Sequence, residues 1–234
     1  MVSPAAGRPG PILRRAFSLS GVVPLGAFLL VHVAVVASAL GGIRSLAATE
    51  DGVGRLPALG LLEVVFVYVP LMVHGSIGAW LAASRTPAAS PSPYPRAIAS
   101  AMRWTGVALL VFLVLHILEL RLRGGHAARL DGGSDAAALV ADLSSTWRGV
   151  PWWGLAYLTG TACVAFHFAV GLWGFFASTA RGRARPEARR KAAWAAAFVA
   201  IAMWATLADV TVLHATGRAL VGAGTPPDEP CPSP

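Results

Sequence analysis

Charged residues are scarce in this chain. Only 13% of its 234 residues are Asp, Glu, Lys or Arg, whereas soluble domains carry about 25%. Hydrophobic residues make up 56% of the sequence. A soluble core of this size would need far more polar surface, so the composition indicates a protein that crosses a membrane several times.

Cysteine is also scarce, with Cys163 in an apolar run and Cys231 near the end of the chain. Two such residues imply no disulfide framework, and the absence of a Cys-x-x-Cys-His motif excludes covalent c-type haem attachment.

The net charge of +8 does not indicate a nucleic-acid partner. The basic residues stand in short clusters between apolar runs, as they do in membrane proteins.

Five apolar stretches have the length of about 20 residues that a helix needs to cross a bilayer. The sequence therefore predicts an all-α membrane protein with five transmembrane helices, at Ser20–Leu40, Leu59–Ala83, Ala101–Leu120, Trp152–Thr179 and Ala192–His214. The first stretch follows two arginines and contains small residues, like a signal peptide. Its apolar run is longer than a typical signal core, which favours a retained helix.

The basic residues predict the orientation. With a cytoplasmic N-terminus, 12 of the 19 Lys and Arg residues lie on the inner side, as the positive-inside rule requires. We therefore expect the protein in the cytoplasmic (inner) membrane with the N-terminus inside and the C-terminus outside.

The remaining segments complete the predicted organisation: a cytoplasmic segment (1–16), the five-helix domain (17–214) and a disordered outer tail (215–234). Thr86–Pro95 is rich in Pro and Ser and predicts an extended inner connector. Within the longest loop, Ser134–Ser144 predicts a short surface helix with Ser134 as its N-cap.

Each of the first four apolar stretches contains one central histidine: His32, His74, His116 and His167. Imidazoles inside a membrane are costly unless something engages them. Two pairs of neutral imidazoles would supply the axial ligands of two b-type haems. Zinc is disfavoured because all four ligands would have to meet at one depth. Use of the histidines for helix packing remains an alternative.

Two of these histidines have a glycine four residues later in the sequence: Gly78 follows His74, and Gly171 follows His167. Residues four apart share a helix face, so these glycines would leave room for a flat macrocycle. Close helix packing through small residues is compatible with this. Counting from the inner arginines gives His32 and His116 together a greater mean depth than His74 and His167, but boundary errors exceed the differences, and counting does not settle the pairing.

Four stretches together resemble the five-helix, di-haem cytochrome b membrane subunit of succinate dehydrogenase/fumarate reductase. They are FSLSGVVPLGAFLLVH (17–32), LLEVVFVYVPLMVHGSIG (61–78), MRWTGVALLVFLVLHILELR (102–121) and FHFAVGLWGF (166–175). The resemblance covers about residues 17–214. It implies that the first four helices form a haem-binding bundle. It also implies that His32 and His116 ligate an outer haem, and His74 and His167 an inner one.

The resemblance further implies that this chain carries electrons between an iron–sulfur subunit, itself served by a flavoprotein subunit, and a membrane quinone. Menaquinone is favoured over ubiquinone. The succinate chemistry would not reside in this chain, which has no flavin or nucleotide motif. Two alternatives stay open: a di-haem quinone cytochrome of another dehydrogenase or hydrogenase, and a haem-free membrane anchor or transporter.

Several other polar residues are candidates. Glu63 matches an acid of the family, and quinone chemistry needs a proton donor or acceptor, although a helix first turn also favours an acid. Arg103 would pair with a haem propionate or serve as an interfacial anchor. The remaining polar candidates are Ser20 and Thr105 beside a propionate, Glu119 and Arg121 in a polar cluster, and Asp209 and His214 at the interface.

Overall fold

A computed structural model describes residues 11–83, 95–119, 141–179, 182, 185–218 and 220. In this part of the chain the regular structure is helical, apart from one isolated bridge between Trp147 and Val150. Five helices are long and apolar enough to cross a membrane, which confirms the predicted all-α membrane fold. We call them the first to fifth helices; they are Arg15–Gly41, Leu59–Ala83, Arg96–Ile117, Trp152–Ser178 and Pro186–Thr216.

The first helix begins earlier than its apolar run. An α-helical segment, Pro11–Ser20, leads into a π-helical turn at Gly21–Leu25, and the α-helix resumes at Gly26–Ala37. Pro24 lies inside the π-helical turn. Because proline has no backbone N–H to donate, a local departure from α-helical hydrogen bonding is expected there.

The second helix contains a similar interruption. It runs as α-helix over Leu59–Glu63, as a π-helical turn over Val64–Tyr68, and as α-helix again over Val69–Ala83. The π-helical turns of the first and second helices contact each other. Such turns are frequent at functional sites.

The fifth helix begins at Pro186, before the predicted start at Ala192. Proline is favoured at the first helical position because its missing N–H has no intrahelical partner there. Glu187 and Lys191 form an exposed ion pair of 3.1 Å one turn apart. Charged residues thus extend this helix beyond the apolar run from which its start was predicted.

The chain divides into two compact units. The first unit comprises Met1–Leu29, Gly60–Val107 and Phe166–Ala200, and the second comprises Leu30–Leu59, Ala108–Ala165 and Ile201–Pro234. In the second unit, Ala39, Leu46 and Val210 form a small buried cluster.

Many large apolar side chains on the five helices are exposed. In the first unit, Trp104, Trp194 and Phe198 are 69%, 73% and 73% exposed. Apolar surface of this extent is unusual on a soluble monomer, and it suits helices whose outward faces contact lipid.

Some predicted segments fall on residues outside the described part. These are the first ten residues of the 1–16 segment, the connector Thr86–Pro95 up to residue 94, the surface helix Ser134–Ser144 up to residue 140, and the tail beyond residue 220. Residues 141–144 are helical, and the fifth helix continues to Thr216, just past the predicted start of the tail.

Candidate functional site

The first unit brings two of the four central histidines together. His74 on the second helix and His167 on the fourth have ring centroids 6.3 Å apart, with their planes at 89°. Both side chains are partly buried. They form the first of two histidine pairs, and the resemblance had implied this pairing.

Contacts from the first helix hold the His74 ring. Its Nδ1 atom lies 3.0 Å from the Phe17 carbonyl oxygen, and the Phe17 ring stacks on it at 4.3 Å with only 8° between the planes. The Ser20 hydroxyl donates to the same carbonyl at 2.9 Å and lies 3.5 Å from Nδ1. A carbonyl accepts only, so the proton of the neutral ring lies on Nδ1 and Nε2 keeps a free lone pair.

Glycines lie directly against both rings of this pair. A Cβ atom on Gly21 would lie 2.5 Å from Cε1 of His74, and one on Gly106 would lie 3.0 Å from Cε1 of His167. The Nδ1 atom of His167 is buried without a hydrogen-bond partner among the described residues.

The second unit holds the other pair. His32 on the first helix and His116 at the end of the third have ring centroids 6.0 Å apart, with their planes at 78°. The Nδ1 atom of His116 lies 3.1 Å from the hydroxyl of Tyr157 on the fourth helix. Phe112 stacks on His116 at 5.7 Å and 21°. Gly160 leaves room for Phe112, because a Cβ atom there would overlap the phenyl ring.

The spacing within each pair fits one metal between two imidazoles. With metal–nitrogen bonds of about 2 Å, rings on opposite sides of one metal have centroids about 6 Å apart. Among the described residues, no three His, Cys, Asp or Glu side chains gather into a metal site. The donor sets are therefore two separate imidazole pairs, and low-spin haem iron accepts such a pair as its two axial ligands.

The predicted glycines lie away from the rings. A Cβ atom on Gly78 would make an ordinary contact of 3.6 Å with Phe17, and one on Gly171 a contact of 3.6 Å with Met102. Their role beside a macrocycle stays a prediction. The glycines that contact histidine rings are instead Gly21 and Gly106.

The predicted polar residues of the first unit occupy varied surroundings. Arg103 is exposed, and the Thr105 hydroxyl donates to the Ala101 carbonyl at 2.8 Å within its own helix. Ser20 lies beside His74, as described above. Glu63 is half-buried and immediately precedes the π-helical turn of the second helix.

In the second unit, Glu119, Asp209 and His214 are buried. Asp209 accepts a hydrogen bond of 2.5 Å from the Leu220 backbone N–H. Neither ring nitrogen of His214 has a hydrogen-bond partner among the described residues. Cys163 is a free thiol in this unit. Arg121 lies outside the described residues.

Sequence reasoning missed Tyr157, Phe17, Gly21 and Gly106. Tyr157 follows two tryptophans near a helix end, a position typical of the aromatic belt at a membrane interface. The other three contact a histidine only across a helix–helix interface. The sequence feature that could have identified Tyr157 is its hydroxyl group within an otherwise apolar stretch.

The chain is similar to the succinate dehydrogenase cytochrome b558 subunit of Bacillus subtilis (strain 168). The two are 28% identical over 163 residues, which cover 69% of this chain and 76% of that protein. This similarity confirms the resemblance to the cytochrome b subunit of succinate dehydrogenase. No family model matches the chain, and no solved structure matches it.

Proposed function

We propose that this chain is the membrane cytochrome b subunit of a succinate:quinone oxidoreductase and binds two b-type haems. The similarity to a succinate dehydrogenase cytochrome b558 subunit supports the coarser part of this proposal. The observation that carries the finer part is the presence of two separate histidine pairs, each with ring centroids about 6 Å apart.

His32 and His116 would hold one haem, and His74 and His167 the other. Bound haem supplies one-electron transfer, and its potential depends on the axial ligands and their hydrogen bonds. The chain contributes ligand orientation: the Phe17 carbonyl accepts the Nδ1–H of His74, which leaves the lone pair of Nε2 for a metal. A hydrogen bond to the ring nitrogen that does not bind the metal fixes the tautomer and the ring plane of a metal-bound histidine.

An iron–sulfur subunit and a flavoprotein subunit would complete the complex at the cytoplasmic face. The positive-inside rule places the start of the fifth helix on that face, and the side chains of Arg185, Arg189, Arg190 and Lys191 are exposed there. With this orientation the N-terminus is inside and the C-terminus outside. This chain would then connect its partner subunits to quinone in the membrane, with menaquinone favoured.

Glu63 would exchange protons with the quinone. Its carboxyl group is half-buried next to the π-helical turn of the second helix. Since general acid–base groups contribute about 10²–10⁴-fold to rate, we expect Glu63→Gln to slow quinone turnover by at least about 10²-fold and to retain both haems. Glu187→Gln, at an exposed ion pair, is the control. Unchanged quinone kinetics in Glu63→Gln would remove this residue from the site.

Purification of the chain with its native partners tests the proposal as a whole. We expect two haems b per chain in a pyridine haemochromogen assay, low-spin ferric signals in electron paramagnetic resonance spectra, and co-purifying flavin and iron–sulfur clusters. A haem content of one or none would refute the di-haem assignment, and none would favour a membrane anchor or transporter. A molybdenum or nickel partner would instead favour a di-haem cytochrome of another dehydrogenase or hydrogenase.

A further inference from the structure

We propose that Tyr157 is a positioning residue for His116, fixing the tautomer and the electron density of the imidazole that serves as an axial ligand. This inference rests on the proposed function, since it concerns a ligand of the His32–His116 pair. The observation behind it is the contact of 3.1 Å between the Tyr157 hydroxyl and Nδ1 of His116.

The tautomer follows from the two nitrogens of the ring. A neutral imidazole has one N–H and one lone pair, and a metal ligand must offer the lone pair. With Nδ1 engaged by Tyr157, Nε2 is the nitrogen left for ligation. The Nδ1–H group of His116 therefore donates to the Tyr157 oxygen. The opposite arrangement, with the hydroxyl donating to Nδ1, would place the ring proton on Nε2 and block the ligand.

Neighbouring aromatic contacts hold Tyr157 in place. Its side chain is only 8% exposed. Phe112 meets the Tyr157 ring edge-on at 5.4 Å and 87° while stacking on His116. Gly160, three residues after Tyr157, leaves the space that Phe112 occupies. The hydroxyl is thus held at a defined position beside the imidazole rather than at the end of a mobile side chain.

The consequence is a more basic ligand. An acceptor on the second ring nitrogen raises the basicity of a metal-bound histidine, and a more basic ligand stabilises ferric over ferrous iron. Tyr157 is therefore expected to lower the midpoint potential of the haem held by His32 and His116. It is not expected to alter the haem held by the other pair, where the Phe17 carbonyl accepts from His74.

Tyr157→Phe removes the acceptor and keeps the ring. We expect the purified variant complex to retain two haems. In a redox titration, the ratio of ferrous to ferric form of one haem at a given potential should rise three- to tenfold. A tenfold change in this ratio corresponds to 59 mV in a one-electron couple. Tyr68→Phe, which deletes a tyrosine hydroxyl from the second helix in the first unit, should leave both potentials unchanged.

A measurement on the unmodified complex provides an independent test. Electron–nuclear double resonance of the ferric protein, before and after transfer to D₂O, should detect a hydrogen-bonded exchangeable imidazole proton that changes in Tyr157→Phe. Two haems with unchanged potentials and unchanged proton couplings in Tyr157→Phe would overturn this inference while leaving the proposed function intact. A haem-free wild-type complex would overturn both. If Tyr157→Phe does not assemble, the same measurement is made on His167→Ala, which should retain only the haem of His32 and His116. Absence of a hydrogen-bonded imidazole proton there would overturn the inference, and its presence would support it.

Discussion

The two histidine pairs have almost the same ring spacing, 6.3 Å in the first unit and 6.0 Å in the second, but different groups hold their rings. A backbone carbonyl, that of Phe17, accepts from His74. A side-chain hydroxyl, that of Tyr157, contacts His116. A backbone acceptor persists through substitution of its own residue, whereas a side-chain acceptor is lost by a single change. One histidine environment is therefore fixed by the fold, and the other is open to tuning by sequence.

The packing around the two pairs also differs between backbone and side-chain contacts. In the first unit, Gly21 and Gly106 bring helix backbones against the His74 and His167 rings. In the second unit, Phe112 lies against His116, and Gly160 makes room for that phenyl ring instead of for a histidine. Close backbone approach restricts the first pair, while an aromatic cluster restricts the second.

Loss of a ligand is the largest expected effect. His167→Ala should reduce the haem content from two to one per chain, because the His74–His167 pair loses one of its two ligands. His116→Ala should remove the other haem instead. Haemochromogen assays and redox titration of the purified complexes measure both results. Retention of both low-spin signals in His167→Ala would refute its role as a ligand.

His214→Gln is the matched control for this test, since His214 is a buried histidine outside both pairs. It should retain two haems. If either ligand substitution removed both haems from a complex that still assembles, the two pairs would not be independent sites.

Much of this arrangement could be predicted from the sequence. Apolar length predicted the five helices, because a bilayer imposes about 20 residues per span. The cost of an imidazole in that setting drew attention to the four histidines that the structure brings together as two pairs. These signals lie within single helices, so no knowledge of helix packing was needed.

The pairing could not be derived by counting residues. The π-helical turn at Gly21–Leu25 lies between the inner arginines and His32, so a rise of 1.5 Å per residue misjudges the depth of His32. The family resemblance implied the pairing that the structure shows. The contacts of Tyr157 and Gly21 depend on which helices are neighbours, and no spacing within one helix encodes that.

A glycine comparison has the next largest expected effect. Gly21→Ala places a Cβ atom 2.5 Å from His74, and overpacking of this kind costs about 1–3 kcal/mol. We expect the haem affinity of the His74–His167 pair to fall by about tenfold or more, since 1.4 kcal/mol corresponds to a tenfold change in affinity. Gly78→Ala makes only an ordinary contact with Phe17 and should bind haem normally. Haem occupancy during titration of the apo-complex measures the difference. Loss of haem in Gly78→Ala with none in Gly21→Ala would restore the prediction made from the i+4 spacing.

Ring stacking provides the finest comparison of the two pairs. Phe17 lies nearly parallel to His74 at 4.3 Å, whereas Phe112 lies 5.7 Å from His116 and is tilted by 21°. Aromatic pairs contribute about 0.5–1.5 kcal/mol beyond the area they bury, and the closer stack should contribute more. Phe17→Leu is therefore expected to lower the thermal stability of the detergent-purified complex more than Phe112→Leu does. Phe198→Leu, at a side chain that is 73% exposed, should change it little. A larger loss of thermal stability from Phe112→Leu would mean that the edge contact of Phe112 with Tyr157 contributes more than the closer stack of Phe17 on His74. The aromatic cluster around His116 would then be more strongly held than the surroundings of His74.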